Sequence, residues 1–297
     1  MTSKRKNNLR TLSAAFMAVL ALPTMVPVPA FAAPACGRIT DEGFIRAYPE
    51  LRATYNLLAA QPLSGKAIAE ALARPENKIK ICPVEKIEGY NGASGGFEPW
   101  ARKITVTDTN NSPLFAHESF HALQMLNGGL GYLSGRIILT RDDYKKAVYI
   151  TEAAAYAHGM VLHKEAAKNN PKIWEEFIQA GYGYYMEDKF DATYAKALQD
   201  GHTEAQALQT AGQNVAHALI KGESPMFNQF VGFVYDFNRQ TATFAPESAA
   251  GTSAYDAQKL DLFRRIGKVS DQVNLTPPQF LVPVAPQSIP SPRLKPA

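Results

Sequence analysis

The chain has 297 residues, with 31 Lys and Arg against 27 Asp and Glu, and a formal charge of +4. The whole excess lies at the N-terminus: residues 1–32 hold four basic residues and no acidic one, which leaves 27 charges of each sign in residues 33–297. A neutral remainder gives no support for nucleic acid or an anionic membrane surface as a partner.

The N-terminal segment has the pattern of a secretory signal peptide. Its basic start is followed by an Ala-rich apolar run over residues 12–22, which is shorter than the roughly 20 residues of a membrane span. The small-residue sequence Ala30-Phe31-Ala32 then offers a cleavage site. We therefore expect residues 1–32 to be removed and the protein to be periplasmic or secreted. No later segment predicts membrane insertion.

Both cysteines, Cys36 and Cys82, lie in the exported part. An oxidising compartment would let them pair, so we predict a Cys36–Cys82 disulfide. Lipidation of Cys36 is the competing interpretation, but Ala33 stands where bacterial lipoprotein signals usually have Leu.

Helical and strand patterns alternate in the first part of the mature chain. Apolar residues recur at helical spacing over residues 41–60 and 63–73. Residues 78–81 alternate between lysine and isoleucine. Residues 102–107, which follow the glycine-rich stretch 92–96, are rich in β-branched side chains. These segments predict two helices and a small antiparallel sheet. The 102–107 strand could offer its edge to an extended peptide, or serve only to cover a helix.

The second part of the chain is predicted to be mostly helical. Ser112 as N-cap and Pro113 in the first turn start a helix that stops at 127–129, and a second helix runs from Thr140 to about Lys168. Further helices are expected to begin near Pro171, Thr203 and Pro225. We predict one α+β, mainly α-helical domain over residues 33–275, with its sheet packed on the 112–127 helix, and a Pro-rich disordered tail over residues 276–297.

The predicted helix after Pro113 contains the sequence AHESFHAL, in which His117 and His121 are four residues apart. On a helix these imidazoles share one face and can hold one zinc ion, while the adjacent Glu118 can act on a water molecule without being a ligand. Chance alone produces this H-E-x-x-H pattern in roughly one chain in a hundred of this histidine content. The uncharged residues around the motif predict a buried helix, where two histidines and a glutamate need a partner.

A catalytic zinc site needs a third protein ligand. In one class of zinc peptidases the third ligand is a histidine six residues after the second histidine of the motif. That pattern does not apply here, because Asn127 occupies this position. We select Glu152, which lies in the next long helix among alanines that allow close packing. The alternatives for the third ligand are His158, His163, Asp142 and Asp143; the two aspartates have the positions of ordinary helix N-terminal residues. His202 and His217 have no motif around them.

The segments GGFEPWARKITVTD, FAHESFHALQ and YITEAAAYA, within residues 85–165, resemble bacterial zinc metallopeptidase domains of the glutamate-zincin (HExxH…E) type. The resemblance implies a zincin-like fold, with Zn²⁺ bound by His117, His121 and Glu152 and with Glu118 as the catalytic base. One position departs from it: many members carry Asp four residues after the ligand glutamate, where this chain has Tyr156. The group that orients a histidine ligand must then differ.

Hydrolysis of a peptide bond also requires a donor to the developing oxyanion, and Tyr156, Tyr149 and His158 are the candidates. Two other functions remain open at this point. One is an exported binding or interaction protein with a structural or vestigial metal site, in which a fourth ligand would close the zinc. The other is a zinc amidase acting on cell-wall peptides, which shares the chemistry. The expected partner is a peptide or protein substrate, and the sequence does not define the oligomeric state.

Overall fold

The computed structural model describes residues 36–85, 87, 94–182 and 184–282. The signal peptide predicted for residues 1–32 lies outside the described residues, as does most of the Pro-rich tail, from residue 283 onward. A continuous apolar core includes residues from Ile39 near the N-terminus of the described chain to Leu275. None of the helices in the described ranges is both long and apolar enough to cross a membrane.

Helices make up most of the structure and confirm the mainly α-helical α+β fold class. In chain order they are α1 (Glu42–Ala47), α2 (Pro49–Ala59), α3 (Lys66–Ala73), α4 (Ser112–Leu126), α5 (Arg141–Ala166), α6 (Lys172–Ala180), α7 (Glu187–Gln199), α8 (Glu204–Ile220), α9 (Pro225–Asn238) and α10 (Ser253–Gly267).

The sheet has three strands, β1 (Lys80–Pro83), β2 (Gly95–Glu98) and β3 (Lys103–Val106), in the order β1-β3-β2. β2 and β3 pair antiparallel, with Phe97 opposite Ile104, but β1 pairs with β3 in parallel. The prediction of an antiparallel sheet is therefore correct for one pair and wrong for the other. β2, the next strand along the chain, forms the opposite edge of the sheet and runs antiparallel to β3. β3 lies between β1 and β2 and therefore runs in the same direction as β1.

The strand order also corrects the prediction that the 102–107 segment could present a free edge. β3 lies in the centre of the sheet, with β1 on one side and β2 on the other. Its backbone groups are used within the sheet on both sides, and β2 is the edge strand that packs on α4.

Local signals located most helix starts to within a residue. Thr140 caps α5 by accepting from the Asp143 N–H, and Thr203 forms a capping box with Gln206 at the start of α8. At α4 the N-cap is Asn111, whose side chain accepts from Leu114 N–H, and not Ser112 as predicted. The hydroxyl of Ser112 bonds instead to a histidine of α5, described below.

Two parts of the helical prediction need correction. The helix expected over residues 41–60 is divided into α1 and α2 at Tyr48, because the following Pro49 disfavours helical backbone at the residue before it. α7 and α10 were not predicted; both contain many charged residues.

α5 is the central element and positions α4. It packs against α4, α6, α8, α9 and α10, and nearly every side chain along its length is buried. Ala153, Ala154, Ala155 and Ala157 are completely buried, and their small side chains permit the close helix approach that the sequence predicted. α4 lies between α5 on one side and strands β2 and β3 on the other.

A disulfide and a buried carboxylate help to attach the N-terminal segment to this core. The predicted disulfide is confirmed and joins Cys36 to Cys82 at β1. The buried carboxylate of Glu165, near the end of α5, accepts hydrogen bonds from the backbone N–H groups of Leu63 and Ser64, both at 3.0 Å. The loop between α2 and α3 is thereby fixed to the central helix.

Candidate metal centre

α4 presents the two histidines of the motif on the face that it buries against α5. Their Nε2 atoms lie 3.0 Å apart, as the four-residue spacing predicts. His121 is completely buried and His117 is 5% exposed. The two rings are edge-to-face, with centroids 4.7 Å apart, so both direct Nε2 at the same point.

Glu152 reaches this point from the middle of α5. Its Oε2 atom lies 3.5 Å from Nε2 of His117 and 3.5 Å from Nε2 of His121. Groups of three or more His, Cys, Asp or Glu side chains can hold a metal ion if their ligand atoms lie close together. Among the described residues, one such group is found, and it consists of His117, His121 and Glu152. The prediction that these three side chains converge is therefore correct.

The three residues fit a metal ion in geometry and in chemistry. Ligand atoms about 2.1 Å from a tetrahedral zinc ion are roughly 3.4 Å from each other, close to the 3.0, 3.5 and 3.5 Å separations seen here. Neither carboxylate oxygen of Glu152 has a hydrogen-bond partner in the described part of the chain, although both are buried. A buried carboxylate without hydrogen bonds is costly unless a cation satisfies it.

Burial and the attraction between the three side chains shift their pKa values. Burial lowers the pKa of His117 to about 4. At His121 burial acts in the same direction, but the Glu152 carboxylate outweighs it and raises the pKa to about 9. Burial disfavours the ionised Glu152, yet His121 and His117 together lower the pKa of its carboxyl to about 2. Metal binding requires imidazoles that are neutral and a carboxyl group that is ionised, so metal affinity should increase with pH.

Glu118 lies beside the group and is not part of it. Its side chain is buried, and neither of its oxygens has a hydrogen-bond partner among the described residues. Burial raises the pKa of Glu118 to about 8. The carboxylate faces β2, where a Cβ built on Gly95 would lie 2.9 Å from Oε1. A positive charge close to Glu118 would therefore lower the pKa of its carboxyl group and favour the ionised form.

Gln124 takes the orienting role that the sequence left unassigned. Its Nε2 donates to the carbonyl oxygens of Thr151 (3.2 Å) and Ile266 (3.0 Å), so its Oε1 must point at His121. Nδ1 of His121 then donates to that Oε1 over 2.7 Å. This neutral amide orients His121, whereas Tyr156, at the position where many glutamate-zincins have the acid, contacts His117. The signal was present in the sequence, as a glutamine one helical turn after His121.

The structure separates the three candidates for oxyanion stabilisation. Tyr156 contacts the ligand group, with its ring 4.4 Å from that of His117, and burial raises its pKa well above the usual value. Tyr149 instead packs against Phe227, at 6.4 Å. His158 stacks on Phe120 and bonds through Nε2 to the Ser64 carbonyl oxygen. Of the three, Tyr156 is the one whose ring contacts a candidate metal ligand.

The alternative third ligands have other partners. His163 bonds to the Gly159 carbonyl at 2.7 Å and to the Ser112 hydroxyl at 3.2 Å. Asp143 accepts from Tyr255 at the start of α5, where Asp142 is exposed in the first turn. His202 is exposed and His217 lies on α8, outside the ligand group.

Comparisons with known proteins do not add to this picture. No family model, curated protein or solved structure matches the chain. The resemblance to glutamate-zincins therefore rests on the motif residues.

Proposed function

We propose that this protein is an exported zinc-dependent metallopeptidase. The observation that carries the proposal is the convergence of His117, His121 and Glu152 on one point. The carboxylate of Glu118 lies beside them and has no hydrogen-bond partner in the described ranges. Two imidazoles and one carboxylate are a common ligand set of catalytic zinc. The disulfide between Cys36 and Cys82 and the basic, apolar N-terminus support export.

Each residue has a separate task in this proposal. Zinc held by the three ligands would lower the pKa of a water molecule to about 7 and polarise the carbonyl of the scissile bond. The Glu118 carboxylate would accept a proton from the attacking water as the water oxygen bonds to the carbonyl carbon, and it would deliver that proton to the amine nitrogen as the C–N bond breaks. The Tyr156 hydroxyl donates a hydrogen bond to the carbonyl oxygen as negative charge develops there.

The sheet suggests how an extended peptide would bind. Among the described strands, β2 lies at an edge of the sheet and packs on α4, with Gly95 next to the Glu118 carboxylate. A peptide that adds to this edge as a further strand would run past the candidate centre. Gly95 has no side chain to separate such a peptide from the Glu118 carboxylate.

A structural zinc site in a binding protein is the alternative from another class, and it normally has four protein ligands. In the part of the chain that the structure describes, no fourth His, Cys, Asp or Glu joins the group. The three-ligand arrangement and the unused carboxylate of Glu118 favour catalysis. An amidase acting on cell-wall peptides would use the same residues and differs in substrate only.

The test measures metal content and hydrolysis on the same variants. Wild type is expected to hold about one zinc ion and to cleave a denatured protein substrate. Glu118→Gln should keep the zinc and lose activity, whereas Glu152→Ala should lose zinc or bind it weakly. Glu165→Gln is the matched control, because it alters another buried carboxylate of α5 that lies outside the ligand group.

Three results would contradict the proposal or part of it. If wild type cannot be loaded with zinc, the metallopeptidase proposal is wrong and the interaction-protein alternative remains. Zinc retention in Glu152→Ala would show that another residue is the third ligand. Full activity in Glu118→Gln would exclude the proposed base.

A further inference from the structure

Tyr184 lies directly behind Tyr156. Its hydroxyl donates a hydrogen bond to the Tyr156 hydroxyl oxygen over 2.9 Å, and the two rings are edge-to-face with centroids 4.6 Å apart. Both side chains are buried, and Tyr156 in turn contacts the ring of His117. Tyr184 is thus connected to the candidate metal centre through a single side chain.

The direction of this hydrogen bond has a chemical consequence. A tyrosine hydroxyl carries one proton and can also accept a hydrogen bond. Because Tyr184 donates, the oxygen of Tyr156 acts as acceptor and its own proton stays available for another group. Tyr184 is the hydrogen-bond partner found for this hydroxyl within the described ranges. Accepting one hydrogen bond polarises an O–H group and makes it a better donor.

Neighbouring aromatic rings hold the pair in place. Phe227 packs edge-to-face against both tyrosines, at 5.7 Å from Tyr184 and 5.8 Å from Tyr156. Phe230 packs against Tyr156 from a second side, at 6.3 Å. Rings enclosed in this way cannot change rotamer freely, so the Tyr156 hydroxyl is positioned before a substrate binds.

The backbone at Tyr184 is also unusual. Tyr184 and Tyr185 both have left-handed conformations, with φ of 51° and 64°. Consecutive non-glycine residues in this region are uncommon and strained, and such strain is concentrated at functional sites. Here the conformation buries the Tyr184 side chain against Tyr156, while Tyr185 is 71% exposed.

We propose that Tyr184 is a positioning residue for peptide hydrolysis: it holds the Tyr156 hydroxyl as a donor to the carbonyl oxygen of the substrate. The inference rests on the proposed function and deepens it. As the water oxygen bonds to the carbonyl carbon, the π electron pair moves to the carbonyl oxygen, and the hydrogen bond from Tyr156 to that oxygen strengthens. No proton leaves Tyr156, and Tyr184 acts through Tyr156 alone.

A double-mutant cycle tests the relationship between the two hydroxyl groups. The variants are Tyr184→Phe, Tyr156→Phe and the double variant, each of which removes an oxygen atom and keeps the ring. Tyr255→Phe is the matched control, because it removes a buried hydroxyl that bonds to Asp143 at the start of α5. Zinc content, kcat and KM on one peptide are measured for all of them.

We expect Tyr156→Phe to lower kcat by roughly 100-fold and Tyr184→Phe by about 10-fold, with little change in KM or zinc content. In the Tyr156→Phe background, removal of the Tyr184 hydroxyl should change kcat less than about 2-fold, because Tyr184 acts through the Tyr156 hydroxyl and this variant lacks it. Affinity for a phosphonamidate dipeptide, whose tetrahedral oxygens resemble the oxyanion, gives a readout independent of turnover and should fall in the same order.

The outcomes separate this inference from the proposed function. If wild type holds zinc and cleaves peptide but Tyr184→Phe behaves like Tyr255→Phe, the positioning role is wrong and the metallopeptidase stands. Equal losses from Tyr184→Phe in both backgrounds would also overturn it, since the residue would then act independently of Tyr156. If wild type binds no zinc or cleaves nothing, the proposed function fails and this inference fails with it.

Discussion

Nδ1 of His121 donates a hydrogen bond to Oε1 of Gln124 over 2.7 Å, one helical turn further along α4. The amide cannot rotate to the opposite orientation, because its Nε2 donates to two backbone carbonyl groups, those of Thr151 and Ile266. Gln124 therefore fixes the ring of His121 and connects α4 with α5 and α10.

Removal of this amide should weaken metal binding without removing a ligand. We expect Gln124→Leu to lower zinc affinity by about 10- to 100-fold, because the ring of His121 loses its orienting acceptor. Competition with a chromogenic chelator measures the affinity. Gln213→Leu is the control, since Gln213 also donates to two carbonyl groups, those of Asn274 and Thr276. Equal zinc affinity in wild type and Gln124→Leu would exclude an orienting role.

Gly95 should be essential for the position of Glu118. A Cβ on Gly95 would lie 2.5 Å from Cδ1 of Leu114 and 2.9 Å from Oε1 of Glu118, closer than real contacts. Gly95→Ala is therefore expected to keep zinc and to lower kcat by at least about 10-fold, because the base is displaced. Gly43→Ala, which meets open space, serves as control. Unchanged kcat in Gly95→Ala would show that the Glu118 position is not critical.

His163 should make the fold sensitive to acid. Burial lowers the pKa of His163 to about 4, while its two ring nitrogens bond to Gly159 and Ser112. The unfolded chain then binds more protons than the folded one between about pH 6.5 and 4. The stabilisation is complete above pH 6.5 and is lost as pH falls through 4, by up to about 1.4 kcal/mol per pH unit.

Urea unfolding at several pH values checks this expectation with His163→Asn. The amide can still donate to the Gly159 carbonyl, but it does not titrate. Its free energy of unfolding should depend less steeply on pH than that of wild type between pH 6.5 and 4, although it is lower at pH 7. Parallel curves for the two proteins would rule out His163 as the source of acid sensitivity.

The disulfide should stabilise the fold by restricting the unfolded chain. Cys36 and Cys82 are 46 residues apart, and closing a loop of that length is worth up to roughly 4 kcal/mol. The Cys36→Ser/Cys82→Ser double variant is expected to lose about 2–4 kcal/mol of unfolding free energy in urea. Zinc content should persist where the fold persists, since neither cysteine belongs to the ligand group. Equal stability with and without the bond would contradict the expectation.

The sequence allowed prediction of features that depend on near neighbours along the chain. His117 and His121 share a face because four residues make about one helical turn, so their convergence follows from helix formation alone. The starts of α5 and α8 are also determined by nearby residues, because Thr140 and Thr203 each accept a hydrogen bond from an N–H group in the first turn of the helix.

Glu152 shows where local reasoning is insufficient. Its selection among five possible third ligands depended on the alanines around it, and its distance to the histidines could not be read from the sequence. α5 has to approach α4 at one angle and one register for Oε2 to lie 3.5 Å from both Nε2 atoms. Many weak contacts along both helices determine that register, and no single residue encodes it.

The sequence by itself determined the α+β, mainly helical fold class, the paired histidines with their adjacent glutamate, and the cysteine pair. Each of these follows from spacing or from residue type. Only the tertiary structure decided the place of β3 in the centre of the sheet, the orienting bond from Gln124 and the contact of Tyr184 with Tyr156. These relationships join residues that are separated along the chain or belong to different elements, so they arise from the packing of the whole core and not from any local pattern.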